Sequence, residues 1–164
     1  METATNPLFD ARLELPADSR SQLVTLLNRL LADYANLISM TLEAHWNVRG
    51  PQFYSLHKLF EELYGSLQGE VDTLAERISI LGGFASGSLR RQAALSSLEE
   101  LPEFPEGEYG YLDALIERYA TVAKLFSEGV GVAGDLDDPN TEDLLTGISR
   151  TLDKSLWFLQ AHRR

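Results

Sequence analysis

Apolar residues recur every three or four positions through most of this chain, and the places where the rhythm stops divide it into segments. After Pro16-Ala17-Asp18, the residues Leu23, Leu26, Leu27, Leu30, Leu31, Tyr34, Leu37 and Ile38 keep helical spacing. The pattern runs to His45-Trp46 and stops at Gly50-Pro51. Asp18 or Ser19 is the expected N-cap. A second stripe (Phe53, Leu56, Phe60, Leu63, Leu67, Val71, Leu74, Ile78, Leu81) predicts a helix over about residues 52–81, closed by Gly82-Gly83. Gly65 and Gly69 interrupt it, each at a cost of up to about 1 kcal/mol relative to Ala. Close approach of another backbone, or drift without consequence, accounts for them. Tyr111, Leu112, Leu115, Ile116, Tyr119, Val122 and Phe126 mark a third helix, followed by a break rich in Gly and Asp over 129–140. Thr141 is the expected cap of a fourth, whose inner face carries Leu144, Leu145, Ile148, Leu152, Leu156 and Leu159.

Residues 84–107 form a long connection between the second and third helices, with a short helix expected at Ser96-Ser97-Leu98-Glu99-Glu100. Such a connection can cross the length of a bundle, so the first two helices and the last two become antiparallel pairs. The predicted fold is therefore all-α, a ferritin-like four-helix bundle with a long crossover between its second and third helices. Residues 1–18 are read as a tail, 19–162 as the bundle and 163–164 as the C-terminal end. Hydrophobic residues are 44% of the 164, enough to build a core, so the body of the chain is not disordered.

Charge and composition narrow the function. With 25 acids against 14 bases the formal net charge is −11, which disfavours a nucleic-acid surface and favours attraction of cations. The absence of cysteine excludes disulfides, thiolate zinc sites and iron–sulfur clusters, and is compatible with the cytoplasmic location expected here. No apolar run is long enough to span a membrane. The first twenty residues contain Glu2, Asp10, Glu14 and Asp18 against Arg12 and Arg20, with no basic start leading into an apolar stretch, so no signal peptide is expected.

Candidate chemistry concentrates on the second helix. His57 and Glu61 are four residues apart, and so are Asp72 and Glu76. At 100° per residue the four share an arc of about 100° that flanks the apolar stripe. His45, at the end of the first helix, joins them across a short turn. Imidazoles suit transition metals and carboxylates suit harder ions, so the set reads as metal ligands. His57 and Asp72 lie fifteen residues apart, roughly 22 Å along a helix, too far to hold one ion from the same copy. Two antiparallel copies would set the His57/Glu61 pair of one against the Asp72/Glu76 pair of the other, giving two symmetric sites. The competing reading is solvated acids and packed histidines. Gln68, at the same angular position, reads as plain surface.

These residues also carry a resemblance. His45-Trp46-Asn47-Val48-Arg49-Gly50, Phe53, Leu56-His57, Phe60, Asp72, Ala75-Glu76-Arg77 and Leu81-Gly82-Gly83 closely resemble the Dps family, the DNA-binding proteins from starved cells or mini-ferritins. Thr141, Asp143, Leu152-Asp153-Lys154 and Leu156-Trp157-Phe158 agree with it. The resemblance implies a homododecameric shell with ferroxidase sites at its two-fold interfaces. Its implied ligands are His45, His57 and Glu61 from one chain with Asp72 and Glu76 from the neighbour, binding two iron ions per site. Ferrous iron is oxidised there by hydrogen peroxide or dioxygen, and ferric mineral is stored inside.

Three departures qualify the resemblance. Glu61 stands where the family usually has Asp. The Glu-x-x-His motif of larger ferritins is absent, which argues against a site inside one bundle. The Lys-rich arm by which some members bind DNA is missing, and the ending His162-Arg163-Arg164 is a thin substitute. The alternative of a DNA-compacting stress protein with secondary iron chemistry is thereby weakened. A metal-independent cage would not need the five ligand positions.

Other residues have paired readings. Trp46 is an electron donor, or an interface or core aromatic. Arg77 holds a site carboxylate or Asp153, or is plain surface. Asp135, Asp137, Asp138, Glu142 and Asp143 line a cation pore, Asp138 and Asp143 above all by family resemblance, or form an acidic loop and helix start.

Overall fold

A computed structural model describes residues 8–163. Five helices run in the order α1 (Ala17–Asn47), α2 (Phe53–Ile80), α3 (Leu89–Leu95), α4 (Gly110–Asp135) and α5 (Pro139–Ala161), with no strand among the described residues. α1 packs along α2 and α4 along α5, while α1 with α4 and α2 with α5 complete the bundle. Leu23, Leu27, Leu31, Tyr34, Leu37, Leu56, Phe60, Leu67, Leu74, Tyr119, Phe126 and Leu152 are sealed in one core. No helix among the described residues is long and apolar enough to cross a membrane.

Two joints fix the ends of α2. Gly50, at φ +104°, and the Phe53 N–H donating to the Gly50 carbonyl at 3.0 Å make the α1–α2 turn tight, which sets the end of α1 beside the start of α2. At the other end Gly82 takes φ +85°, and Gly83 N–H reaches back to Ile78 O at 2.9 Å, closing the last turn. A Cβ on Gly82 would lie 2.6 Å from Phe9 O, and one on Gly83 2.5 Å from Val24, so both positions demand glycine. Phe9 N–H donates to Gly82 O at 2.7 Å, and Arg20 binds both Leu15 O and Leu81 O, so residues 8–16 lie across the end of α2. The rest of the expected tail, residues 1–7, falls outside the described residues.

Several boundaries differ from the sequence pattern. α1 begins at Ala17 behind Pro16 with no side-chain cap, so neither Asp18 nor Ser19 caps it. The short crossover helix is Leu89–Leu95, capped by Ser88, and not residues 96–100. Buried Asp33 of α1 is the cause: it needs donors, and takes Ser97 N–H at 2.6 Å and Ser96 Oγ at 3.0 Å, which holds that stretch extended. α4 continues through Gly129 to Asp135, because tight packing of buried Gly129 on Leu30 and Leu145 holds the helix together through the Gly-rich stretch. Asp138, rather than Thr141, caps α5, with Pro139 at the start of the helix. At Gly65 and Gly69 nothing among the described residues lies within 4 Å of where a Cβ would stand.

Candidate metal centre

The tight α1–α2 turn stacks the imidazoles of His45 and His57, with ring centroids 3.8 Å apart and planes tilted by 18°. His45 Nδ1 lies 2.8 Å from the His57 carbonyl, and His57 Nδ1 lies 2.9 Å from the His45 carbonyl. A carbonyl oxygen only accepts, so each Nδ1 donates, and in the neutral ring this leaves Nε2 as the lone-pair nitrogen. That is the tautomer a metal requires, fixed by the backbone before any ion arrives. Phe53 stacks on the far side of His57 at 5.1 Å and limits rotation of the pair.

Glu61 follows His57 by one turn, but its carboxylate is held by Lys58 Nζ at 2.6 Å. The Lys58 hydrogen bond and charge hold the Glu61 carboxyl below its ordinary value, with the nearby histidines adding a smaller pull. Lys58 was not singled out from the sequence, although its spacing of three from Glu61 on a helix was a usable signal.

Asp72 and Glu76 stand exposed on the same side of α2 and make no ion pair or hydrogen bond among the described residues. The structure therefore brings His45 and His57 together, keeps Glu61 near them, and leaves Asp72 and Glu76 at the other end of the helix. Among the described residues no three His, Asp or Glu side chains converge on a single point. One chain thus carries a stacked imidazole pair near the N-terminal end of α2 and two exposed carboxylates toward its C-terminal end.

Large apolar side chains stand exposed near both ends of α2. Trp46 and Tyr54 beside the histidines are 68% and 72% exposed, and Ile80 and Phe84 beyond Glu76 are 52% and 53% exposed.

Arg77 and Asp138 take roles other than those expected. The Arg77 guanidinium grips both oxygens of Asp138, at 2.8 and 2.7 Å, and donates to Thr141 Oγ1 at 2.9 Å. It touches neither a candidate ligand nor Asp153. Asp138 is buried, capping α5 through Thr141 N–H, so it is not free to line a cation pore. Burial alone would raise its carboxyl, but the Thr141 hydroxyl and Arg77 outweigh that and hold it below the ordinary value. Asp143, with Asp135, Asp137 and Glu142, remains exposed around the α4–α5 junction.

Arg163 is engaged within the chain. Arg163 pairs with Asp113 at 2.8 Å and lies over the Tyr109 ring at 5.0 Å. Arg164 lies outside the described residues.

Comparison with known proteins agrees with this architecture. Residues 24–164 match the ferritin-like domain family. The chain is 43% identical over 152 residues to the DNA protection during starvation protein of Agrobacterium fabrum, covering 91% of this chain and 92% of that protein. Among solved structures, DpsC from Streptomyces coelicolor is similar at TM-score 0.92 and 28% identity, covering all of this chain and 96% of the other. A Dps protein from Vibrio cholerae, described as a member of a broad superfamily of ferritin-like diiron-carboxylate proteins, gives TM-score 0.87 and 28% identity over 97% of this chain and 99% of the other.

Proposed function

Since this chain belongs to the ferritin-like family, in its Dps branch, we propose that it is a ferroxidase and iron-storage protein whose oxidation sites form between two copies. The observation that carries this reading is the division of α2: a preset imidazole pair at one end and two unpartnered carboxylates at the other, with no complete ligand set among the described residues. Antiparallel packing of α2 on α2 unites the halves. The same packing covers Trp46 and Tyr54 of one copy with the region of Ile80 and Phe84 of the other.

Ferrous iron is the substrate. Two nearly parallel rings 3.8 Å apart cannot both aim in-plane lone pairs at one ion, so each imidazole serves a different ion. The carboxylates of Asp72 and Glu76 from the partner, with Glu61 once it leaves Lys58, supply the hard ligands that favour the ferric state. Each ferrous ion gives one electron to hydrogen peroxide. Its O–O bond breaks, two protons are taken up and two waters leave. Dioxygen is the alternative oxidant. The ferric product hydrolyses and is stored inside a cytoplasmic dodecamer. Asp143 and its exposed acidic neighbours attract the incoming cations, Asp138 being excluded from that role.

Protection of DNA, the role in the name of the Agrobacterium relative, comes to this chain as a consequence of removing iron and peroxide together. Direct DNA compaction has no support in a net charge of −11 or in an Arg163 already engaged by Asp113 and Tyr109.

Anaerobic titration with ferrous iron and hydrogen peroxide tests the proposal. The expected result is one peroxide consumed per two ferrous ions, no trapped hydroxyl radical, and iron that co-elutes with the protein. One-to-one consumption with abundant radical adducts and no retained iron would overturn it.

A further inference from the structure

One carboxylate of α2 points the wrong way for a surface acid. Glu70 lies on the shoulder of the apolar stripe opposite His57, and both of its oxygens are taken by hydroxyls from other helices. Tyr34 of α1 donates to Oε2, and Thr151 of α5 donates to Oε1 at 2.7 Å. Tyr34 is fully buried and packs at a tilt on Phe126, with ring centroids 5.5 Å apart. Tyr119 is a natural contrast. It is equally buried, yet its hydroxyl meets only the Thr41 hydroxyl, at 3.0 Å. Of the two fully buried phenols, one therefore has a carboxylate base in hydrogen-bond contact and the other does not.

The Glu70 side has a route to water. Thr151, besides binding Glu70, lines a groove of about 250 Å³ between α2 and α5, together with Glu62, Ser66, Lys154 and Ser155. Leu63 and Phe158 complete its walls, but its polar side chains offer partners to water and Glu70 itself is only partly buried, so a proton placed on Glu70 can be relayed outwards. Burial, together with the adjacent Glu70 charge, pushes the Tyr34 phenol up and keeps it protonated. Removing an electron from such a phenol requires the proton to leave in the same event, because a phenol radical cation is a strong acid. A hydrogen-bonded base is the feature that makes this loss feasible.

We propose that Tyr34 is an internal one-electron donor with Glu70 as its proton acceptor, quenching oxidants of the hydroxyl-radical class that arise where ferrous iron meets peroxide. The electron passes from the phenol through the packed core to the oxidant, which is reduced to hydroxide. The O–H bond breaks, its proton moves to Glu70, and a neutral tyrosyl radical remains. A ferrous ion then returns one electron, becoming ferric, while Glu70 returns the proton. The source of the oxidant rests on the function proposed above, whereas the tyrosine–carboxylate pair does not.

Two oxidation arms separate those claims. Assembled protein is oxidised with photogenerated ruthenium(III) tris-bipyridine without iron, and separately with ferrous iron and peroxide, then frozen for electron paramagnetic resonance. A long-lived tyrosyl signal is expected in both arms, lost in Tyr34→Phe and kept in Tyr119→Phe. Glu70→Gln, similar in shape but a far weaker base, should slow radical formation about a hundredfold, the low end of what a positioned base supplies. Deuterium oxide should slow it in the unmodified protein. A signal in the ruthenium arm alone supports the pair and faults the iron source. A signal unchanged in Tyr34→Phe, or lost equally in Tyr119→Phe, overturns the proposal. So does a formation rate indifferent to both Glu70→Gln and deuterium. Tyr34→Phe removes a single oxygen, and assembly of every variant is checked by size-exclusion chromatography.

Discussion

The two ends of α2 carry residue pairs of the same spacing, His57 with Glu61 and Asp72 with Glu76, yet the chain treats them in opposite ways. At the N-terminal end, backbone carbonyls fix both imidazole tautomers and Phe53 packs against the ring stack. At the C-terminal end, the carboxylates stand in solvent with no partner among the described residues, while the next residue, Arg77, is bound into the bundle through Asp138 and Thr141. Imidazole has a tautomer to select and a ring to orient, so ordering it in advance is useful. A carboxylate has neither need. In the shared site proposed above, one copy would supply oriented imidazoles and the other charge.

The largest expected effect comes from removing a ligand at either end. His57→Ala and Glu76→Ala should each slow rapid ferrous oxidation by roughly a hundredfold or more, since loss of even an outer-shell partner costs 10–100-fold. Size-exclusion chromatography should show both cages intact, because the apolar stripe is untouched. Full activity in either variant would break the equivalence of the two ends.

Next in size is the anchor beneath the carboxylate end. Arg77→Ala leaves Asp138 buried without its cation and should destabilise the chain by about 3–5 kcal/mol, measured by denaturant titration. The Asp138 carboxyl is held below its ordinary value, so this contribution is complete above the ordinary carboxylate range and fades as pH falls through the lowered value. Asp138→Asn should therefore be less stable near neutrality, and its stability should fall less on acidification. Equal acid sensitivity in both proteins would contradict that sign.

A smaller effect belongs to Lys58. It occupies the Glu61 carboxylate at the surface, so Lys58→Met should tighten ferrous binding by less than about fivefold, an effect that fades with added salt. Isothermal titration under anaerobic conditions reads it, and weaker binding would show that Lys58 assists the site. The smallest expectation is no effect at all: plasmid mobility should be unchanged near physiological salt, and a salt-sensitive retardation would show that the C-terminal arginines outweigh the net charge.

The long helices were legible because period and glycine breaks are local signals. The placing of His45 beside His57 was legible too, since a short turn between two periodic runs leaves little choice. The crossover helix was misplaced because the need of buried Asp33 for donors, sixty-odd residues away, holds Ser96 and Ser97 extended. The same limit hid Asp138. An Asp-Pro step announces a helix start, but its burial depends on Arg77 reaching from another helix. Glu70 was hidden for a related reason, since its place on the stripe's shoulder is visible but its two hydroxyl partners come from α1 and α5.

Mixed cages test the shared site most directly. A His57→Ala chain paired with a Glu76→Ala chain leaves one site lacking both ligands and the other intact. Co-assembly of the two inactive variants should therefore restore activity, approaching half that of an unmodified dimer in each mixed pair. If each chain carried a complete site, every site in the mixture would lack one ligand and no activity would return. Verified mixed cages that remain as inactive as their parents would contradict the account.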